Sequence, residues 1–82
     1  MSTIRKNAYL GLATTDHALL QIDEAYKKGN DVFILREGQW LTYEDRDWDD
    51  GVLRFWLTDR SGTEYFLRPQ ELECAEWYEE VD

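Results

Sequence analysis

Between Val32 and Arg68 the chain alternates strand-like runs with turn signals, and this punctuation narrows the available folds more than any other feature. Val32–Arg36 is mostly β-branched and aromatic, and after Glu37-Gly38 the run Gln39–Tyr43 returns with Trp40 and Tyr43. Val52–Thr58 alternates strictly, with Leu53, Phe55 and Leu57 on one face and Val52, Arg54, Trp56 and Thr58 on the other. Asp59-Arg60-Ser61-Gly62 puts Asp first and Gly fourth in a turn. Thr63–Arg68 then completes a hairpin, with Tyr65 and Leu67 opposite Glu64, Phe66 and Arg68. Between the second and third runs, Glu44–Gly51 reads as an acidic loop ending in Gly. Four such runs predict an antiparallel meander that needs a cover for one face.

The cover comes from the segment before them. Thr14, Thr15 and Asp16 offer consecutive N-cap oxygens, and Ala18, Leu19, Ile22, Ala25 and Tyr26 recur at helical spacing. Lys27 and Lys28 suit the negative end of the helix dipole, and Gly29 suits the left-handed residue that stops it. Residues 1–13 fit either an arm or a short edge strand. The tail also has two readings. Cys74, Trp77, Tyr78 and Val81 are spaced for a helix, whereas Ala75, Trp77 and Val81 alternate as a strand does. Pro69 suits the first position of a short helical turn in either case. The expected fold class is therefore α+β: an N-terminal helix on a roughly four-stranded meander, followed by a short C-terminal helix or an extra strand.

With 82 residues the chain forms a single small domain, residues 1–82, because a core this small does not divide. One Cys rules out an internal disulfide framework and a multi-Cys zinc site. No apolar run approaches the roughly 18 residues of a spanning helix, so a soluble, cytoplasmic domain without membrane contact is expected. A net charge of −9 opposes direct binding to nucleic acid. The charge is unevenly placed. Glu44–Asp50 and Glu71–Asp82 together carry −10, and the remaining residues carry +1.

Asp45, Asp47 and Asp49 alternate like the opening ligands of a calcium loop, but the sixth position is Asp50 and the twelfth is Trp56. The sequence thus predicts no metal site and no cofactor. His17 has no Ser or Cys beside it, and Cys74 lies among Glu71, Glu73 and Glu76, which disfavour a thiolate. A non-catalytic protein is expected.

The acidic stretches point to binding instead. Carboxylates opposite a Lys/Arg-rich groove steer association, and proteins that grip nucleic acid own such grooves. Aromatics interleave both stretches, and Tyr and Trp are preferred interface anchors. The predicted partner surface comprises Glu44, Asp45, Asp47, Trp48, Asp49, Asp50, Glu76, Tyr78, Glu79 and Glu80. The predicted partner is a basic, nucleic-acid-handling enzyme, inhibited through nucleic-acid mimicry. Two alternatives compete with this reading. Arg36, Arg54 and Trp56 form a site for a small anionic nucleotide in one, and the protein is the immunity or antitoxin partner of a basic nuclease in the other. Mimicry further requires that the two acidic stretches share a face; on opposite sides they would serve solubility.

Two segments also carry a family resemblance. The run Glu24-Ala25-Tyr26-Lys27-Lys28-Gly29-Asn30-Asp31-Val32 resembles the opening of a class of short phage-encoded proteins. Asp59-Arg60-Ser61-Gly62-Thr63-Glu64-Tyr65, followed by Leu72, Ala75, Glu76 and Trp77, is similar to their closing pattern. These are the DUF2829-like Thoeris anti-defence proteins, some of which sequester a nucleotide signal as oligomers. The resemblance implies a phage or mobile-element origin and a small non-catalytic inhibitor able to self-associate. It assigns no ligand residue to this chain.

Overall fold

A computed structural model describes the backbone of residues 3–7 and the whole of residues 16–81. The elements are β1 (Thr3–Asn7), α1 (Asp16–Lys27), β2 (Asp31–Arg36), β3 (Gln39–Asp49), β4 (Val52–Thr58), β5 (Glu64–Leu67), a 3-10 turn (Pro69–Leu72) and β6 (Glu76–Val81). They form an α+β fold, with α1 packed on one antiparallel sheet of order β1-β6-β2-β3-β4-β5. The expected meander is β2 to β5. The tail contributes both the helical turn at Pro69 and an extra strand, and β6 inserts between β1 and β2. The helical reading of Cys74 to Val81 gives way because Trp77 and Val81 lie in a strand with Glu79 between them on the same face. Of the N-terminal residues, 3–7 form an edge strand; the expected Thr14 and Thr15 caps lie outside the described residues.

α1 ends as its sequence dictates. Gly29 adopts φ 85°, its N–H donates to the Tyr26 carbonyl at 3.0 Å, and Asn30 N–H donates to the Ala25 carbonyl at 3.1 Å. These two bonds satisfy carbonyls that the last helical turn would otherwise leave bare. Ala18, Ile22 and Ala25 are buried against the sheet and meet Val32, Ile34, Leu41, Tyr43, Phe55, Leu57 and Trp77 in one core. Leu72 and Ala75, on the connection to β6, close its end.

The acidic loop expected at Glu44–Gly51 is not a loop. β3 runs through it to Asp49 and turns back on two residues, Asp50 and Gly51, both at positive φ (52° and 77°). Such a turn matches the twist of a hairpin, and Glu37-Gly38 repeats it between β2 and β3 (51° and 78°). Between Tyr43 and Asp45 the ladder slips. Tyr43 pairs with Leu57 and Asp45 with Trp56, leaving Glu44 as the extra residue of a bulge. The slip decides which way the acidic stretch points. Continued alternation from Leu41 and Tyr43 would send Asp45, Asp47 and Asp49 under the helix. The bulge instead aligns them with Trp56, Arg54 and Val52 on the outer face and turns Arg46 and Trp48 inward.

Candidate functional site

Among the described residues only one face of the sheet has a helix on it, and paired residues share a face. On the bare face β6 contributes Glu76, Tyr78 and Glu80; β2 contributes Asp31, Phe33 and Leu35; β3 contributes Trp40, Thr42, Asp45, Asp47 and Asp49. β4 and β5 extend it with Val52, Arg54, Trp56, Thr58, Glu64 and Phe66. The two acidic stretches therefore share this face, with Asp31 on β2 directly beside Glu80. Trp40, Trp56 and Phe66 remain 44%, 38% and 45% exposed there. Grouped exposed apolar surface of this kind marks interaction sites. Trp40 leans on Tyr78 with ring centroids 4.9 Å apart, and the Tyr78 hydroxyl donates to Glu76 Oε2 at 2.8 Å.

Not every expected partner-binding residue belongs to this face. Trp48 is 64% exposed, as an anchor should be, but it pairs with Leu53 on the helix side. Glu79 is buried on that side and accepts a hydrogen bond from Asn30 Nδ2 at 2.6 Å. Asp50 occupies the hairpin turn at the tip of the β3–β4 ribbon. The outer surface thus retains Glu44, Asp45, Asp47, Asp49, Glu76, Tyr78 and Glu80 from the sequence prediction and adds Glu64 and Phe66. The added pair was readable in principle, because the hairpin at Asp59–Gly62 aligns Phe66 with Trp56 and Glu64 with Thr58.

The alternative nucleotide site does not assemble. Arg54 and Trp56 share the outer face, but Arg36 lies on the other side and gives its Nε–H to the Glu71 carbonyl at 2.8 Å. Arg54 is committed as well. Its Nε and Nη2 reach Asp47 Oδ1 and Oδ2 at 2.9 and 2.7 Å, and its guanidinium lies 5.2 Å from the centre of the Phe66 ring. The Arg54 hydrogen bonds are the main reason the Asp47 carboxyl titrates below the ordinary aspartate range. Asp59 titrates low for a different reason. Its Oδ1 accepts from the Ser61 hydroxyl, the Thr63 N–H and the Ser61 N–H at 2.7, 2.9 and 2.9 Å, and its Oδ2 accepts from Tyr65 at 3.1 Å.

On the helix side, a groove of about 480 Å³ runs between α1 and the β3–β4 ribbon. Asp16, Leu19, Leu20, Asp23 and Lys27 line it from the helix, and Tyr43, Arg46, Trp48, Leu53 and Phe55 from the sheet. Asp23 holds both cations of the groove, Lys27 at 3.0 Å and Arg46 at 2.7 Å. The Tyr43 hydroxyl is buried without a hydrogen-bond partner, and desolvation pushes its ionisation far up.

Of the groups with chemical potential, His17 is exposed on the first turn of α1 and meets Gln21 at 3.1 Å, and Cys74 is exposed beyond the 3-10 turn. Among the described residues no group of three or more His, Cys, Asp and Glu side chains is placed to hold a metal ion. No helix among them is long and apolar enough to cross a membrane. No protein-family model, no curated protein and no solved structure matches the chain.

Proposed function

We propose that this protein is a non-catalytic inhibitor that lays its bare sheet face on a basic, nucleic-acid-handling enzyme of a host or its defence system. One observation carries the reading: carboxylates from both acidic stretches lie on the same uncovered face as Trp40, Trp56 and Phe66. Along β3 the side chains of Asp45, Asp47 and Asp49 repeat every second residue, about 6.8 Å apart in an antiparallel strand. That resembles the spacing of successive phosphates on an extended nucleic-acid strand. Asp47 is balanced by Arg54, so the ends of the row, Asp45 and Asp49, together with Glu76 and Glu80 attract a phosphate-binding groove and steer encounter, while the neighbouring aromatics provide desolvated contact area. The resemblance to short phage anti-defence proteins supports the same class of role.

The test has two stages. Immobilised protein captures its partner from a nuclease-treated host lysate, and the partner is eluted with salt and identified. The enzyme's binding to duplex DNA is then measured with and without this protein. Competition with DNA is expected, along with at least about tenfold weaker competition at low ionic strength by the variant carrying Asp45→Lys, Asp49→Lys and Glu80→Lys. Asp47 is left intact because its partner is Arg54. A partner that keeps its DNA in the presence of excess protein, or a triple reversal without effect, would overturn the reading.

A further inference from the structure

We propose that Trp56, Phe66, Glu44 and Glu64 form a receptor for a single alkylammonium or guanidinium group, the head of a lysine or arginine side chain. The inference rests on the proposed function and names what that face takes from its partner.

Trp56 and Phe66 are directly paired across β4 and β5, their ring centroids are 5.4 Å apart, and their planes meet at 88°. Planes at a right angle leave a corner between the two rings, and a cation seated there over a ring face is attracted by the negative side of its quadrupole. Glu64 pairs with Thr58 one step along the same face. The Thr58 hydroxyl donates to Glu44 Oε1 at 2.9 Å and holds that carboxylate beside the walls. Glu44 reaches this position because it is the bulge residue, adding a carboxylate to the outer side of β3.

The cavity these residues line measures about 290 Å³. That is ample for one long side chain. Its two ionisable groups, Glu44 and Glu64, are both acids, which rejects a phosphate and favours a cation. Among the described residues no Lys or Arg pairs with either of them. Arg54 already places a guanidinium against Phe66, which shows that this ring accepts one, and Asp47 balances its charge. The pocket's own carboxylates are left for a cation from outside.

The experiment needs no partner protein. The folded chain is titrated with n-butylammonium and n-butylguanidinium, and with n-butanol and butyrate as neutral and anionic matches, following the Trp56 indole N–H and the Thr58 amide by NMR. Saturable shifts at both positions with the cations, absent with butanol and butyrate, are expected. The stronger of the two cations indicates whether lysine or arginine is preferred. Glu44→Gln with Glu64→Gln should weaken cation binding severalfold while the remaining amide spectrum is preserved, since both side chains are exposed. Thr58→Val, which frees Glu44, should weaken it less. Shifts that do not saturate, equal response to butanol, or unchanged affinity in the double glutamine variant would overturn the pocket. Failure here leaves the DNA-competition test of the acidic face untouched, and failure of that test leaves a measured cation site standing.

Discussion

Arg54 closes on Asp47 across β3 and β4 with two parallel hydrogen bonds of 2.9 and 2.7 Å, so a carboxylate of the acidic stretch on β3 is balanced by a guanidinium of β4. The pair sits at the middle of the ribbon, between Asp45–Trp56 and Asp49–Val52. It ties the ribbon together and removes Asp47 from the charge available to a partner. Asp45 and Asp49 meet guanidinium groups only at 3.9 and 3.8 Å, from Arg46 and Arg68, so in the proposed reading they are the β3 carboxylates left to a partner.

The same pair sets an acid dependence. Asp47 titrates lower in the folded protein than in the unfolded chain, so the unfolded state takes up its proton first as pH falls. Its contribution is complete above the ordinary aspartate value, near 3.8, and is lost as pH drops through that value to the lower folded one. Asp59 acts in the same direction. Urea midpoints measured from neutral pH to pH 2 should fall on the acid side in the wild type. They should fall less steeply in Arg54→Ala, which removes the main cause of the Asp47 shift.

The bulge makes an unusual prediction about deletions. Removing Glu44 leaves Tyr43 opposite Leu57 and Asp45 opposite Trp56, which is a regular ladder, so the protein should still fold and pack Trp48 against Leu53. Removing Thr42 instead brings Glu44 into the buried place of Tyr43 and takes that ring out of the core, which should cost about 3 kcal/mol or more. Chemical denaturation of the two deletion variants separates the outcomes. A Glu44 deletion as damaging as the Thr42 deletion would contradict the assigned register.

Tyr43→Phe tests the floor of the helix-side groove. The hydroxyl is buried and unpartnered, so its removal should leave stability unchanged or raise it by up to about 1–3 kcal/mol, the usual cost of an unsatisfied buried polar group. The ring contacts to Tyr26 and Phe55, with centroids 5.1 and 5.4 Å away, survive the change. A lower urea midpoint in the Phe variant would show that the hydroxyl contributes a bond.

Gly51 tests the ribbon turn. An added Cβ would meet nothing within 4 Å, so the cost of Gly51→Ala comes only from its φ of +77°. That cost should be about 1–2 kcal/mol. Gly51→Asn should cost less, since Asn tolerates the left-handed region better than Ala. Equal urea midpoints for the two variants would argue against a positive φ at this position.

Much of the fold is written locally. The helix from Asp16 to Lys27 and its stop at Gly29 follow from residues within one turn of each other, and the β4–β5 hairpin follows from the alternation of Val52–Thr58 and the turn at Asp59. In sequence the acidic stretch reads as a loop, because charge in consecutive positions looks like solvated chain. A strand with one bare face accommodates alternating acids equally well.

Periodicity and turn chemistry act between near neighbours, and for that reason the helix, the meander, the small core and the concentration of charge in two stretches are legible along the chain. Folding settles the rest: β6 enters between β1 and β2, one bulge at Glu44 directs Asp45, Asp47 and Asp49 away from the helix, and Trp48 and Arg36 part company from them. Strand pairing sets these outcomes. It joins residues far apart in the chain, and a shift of one position in its register exchanges the two faces of a strand.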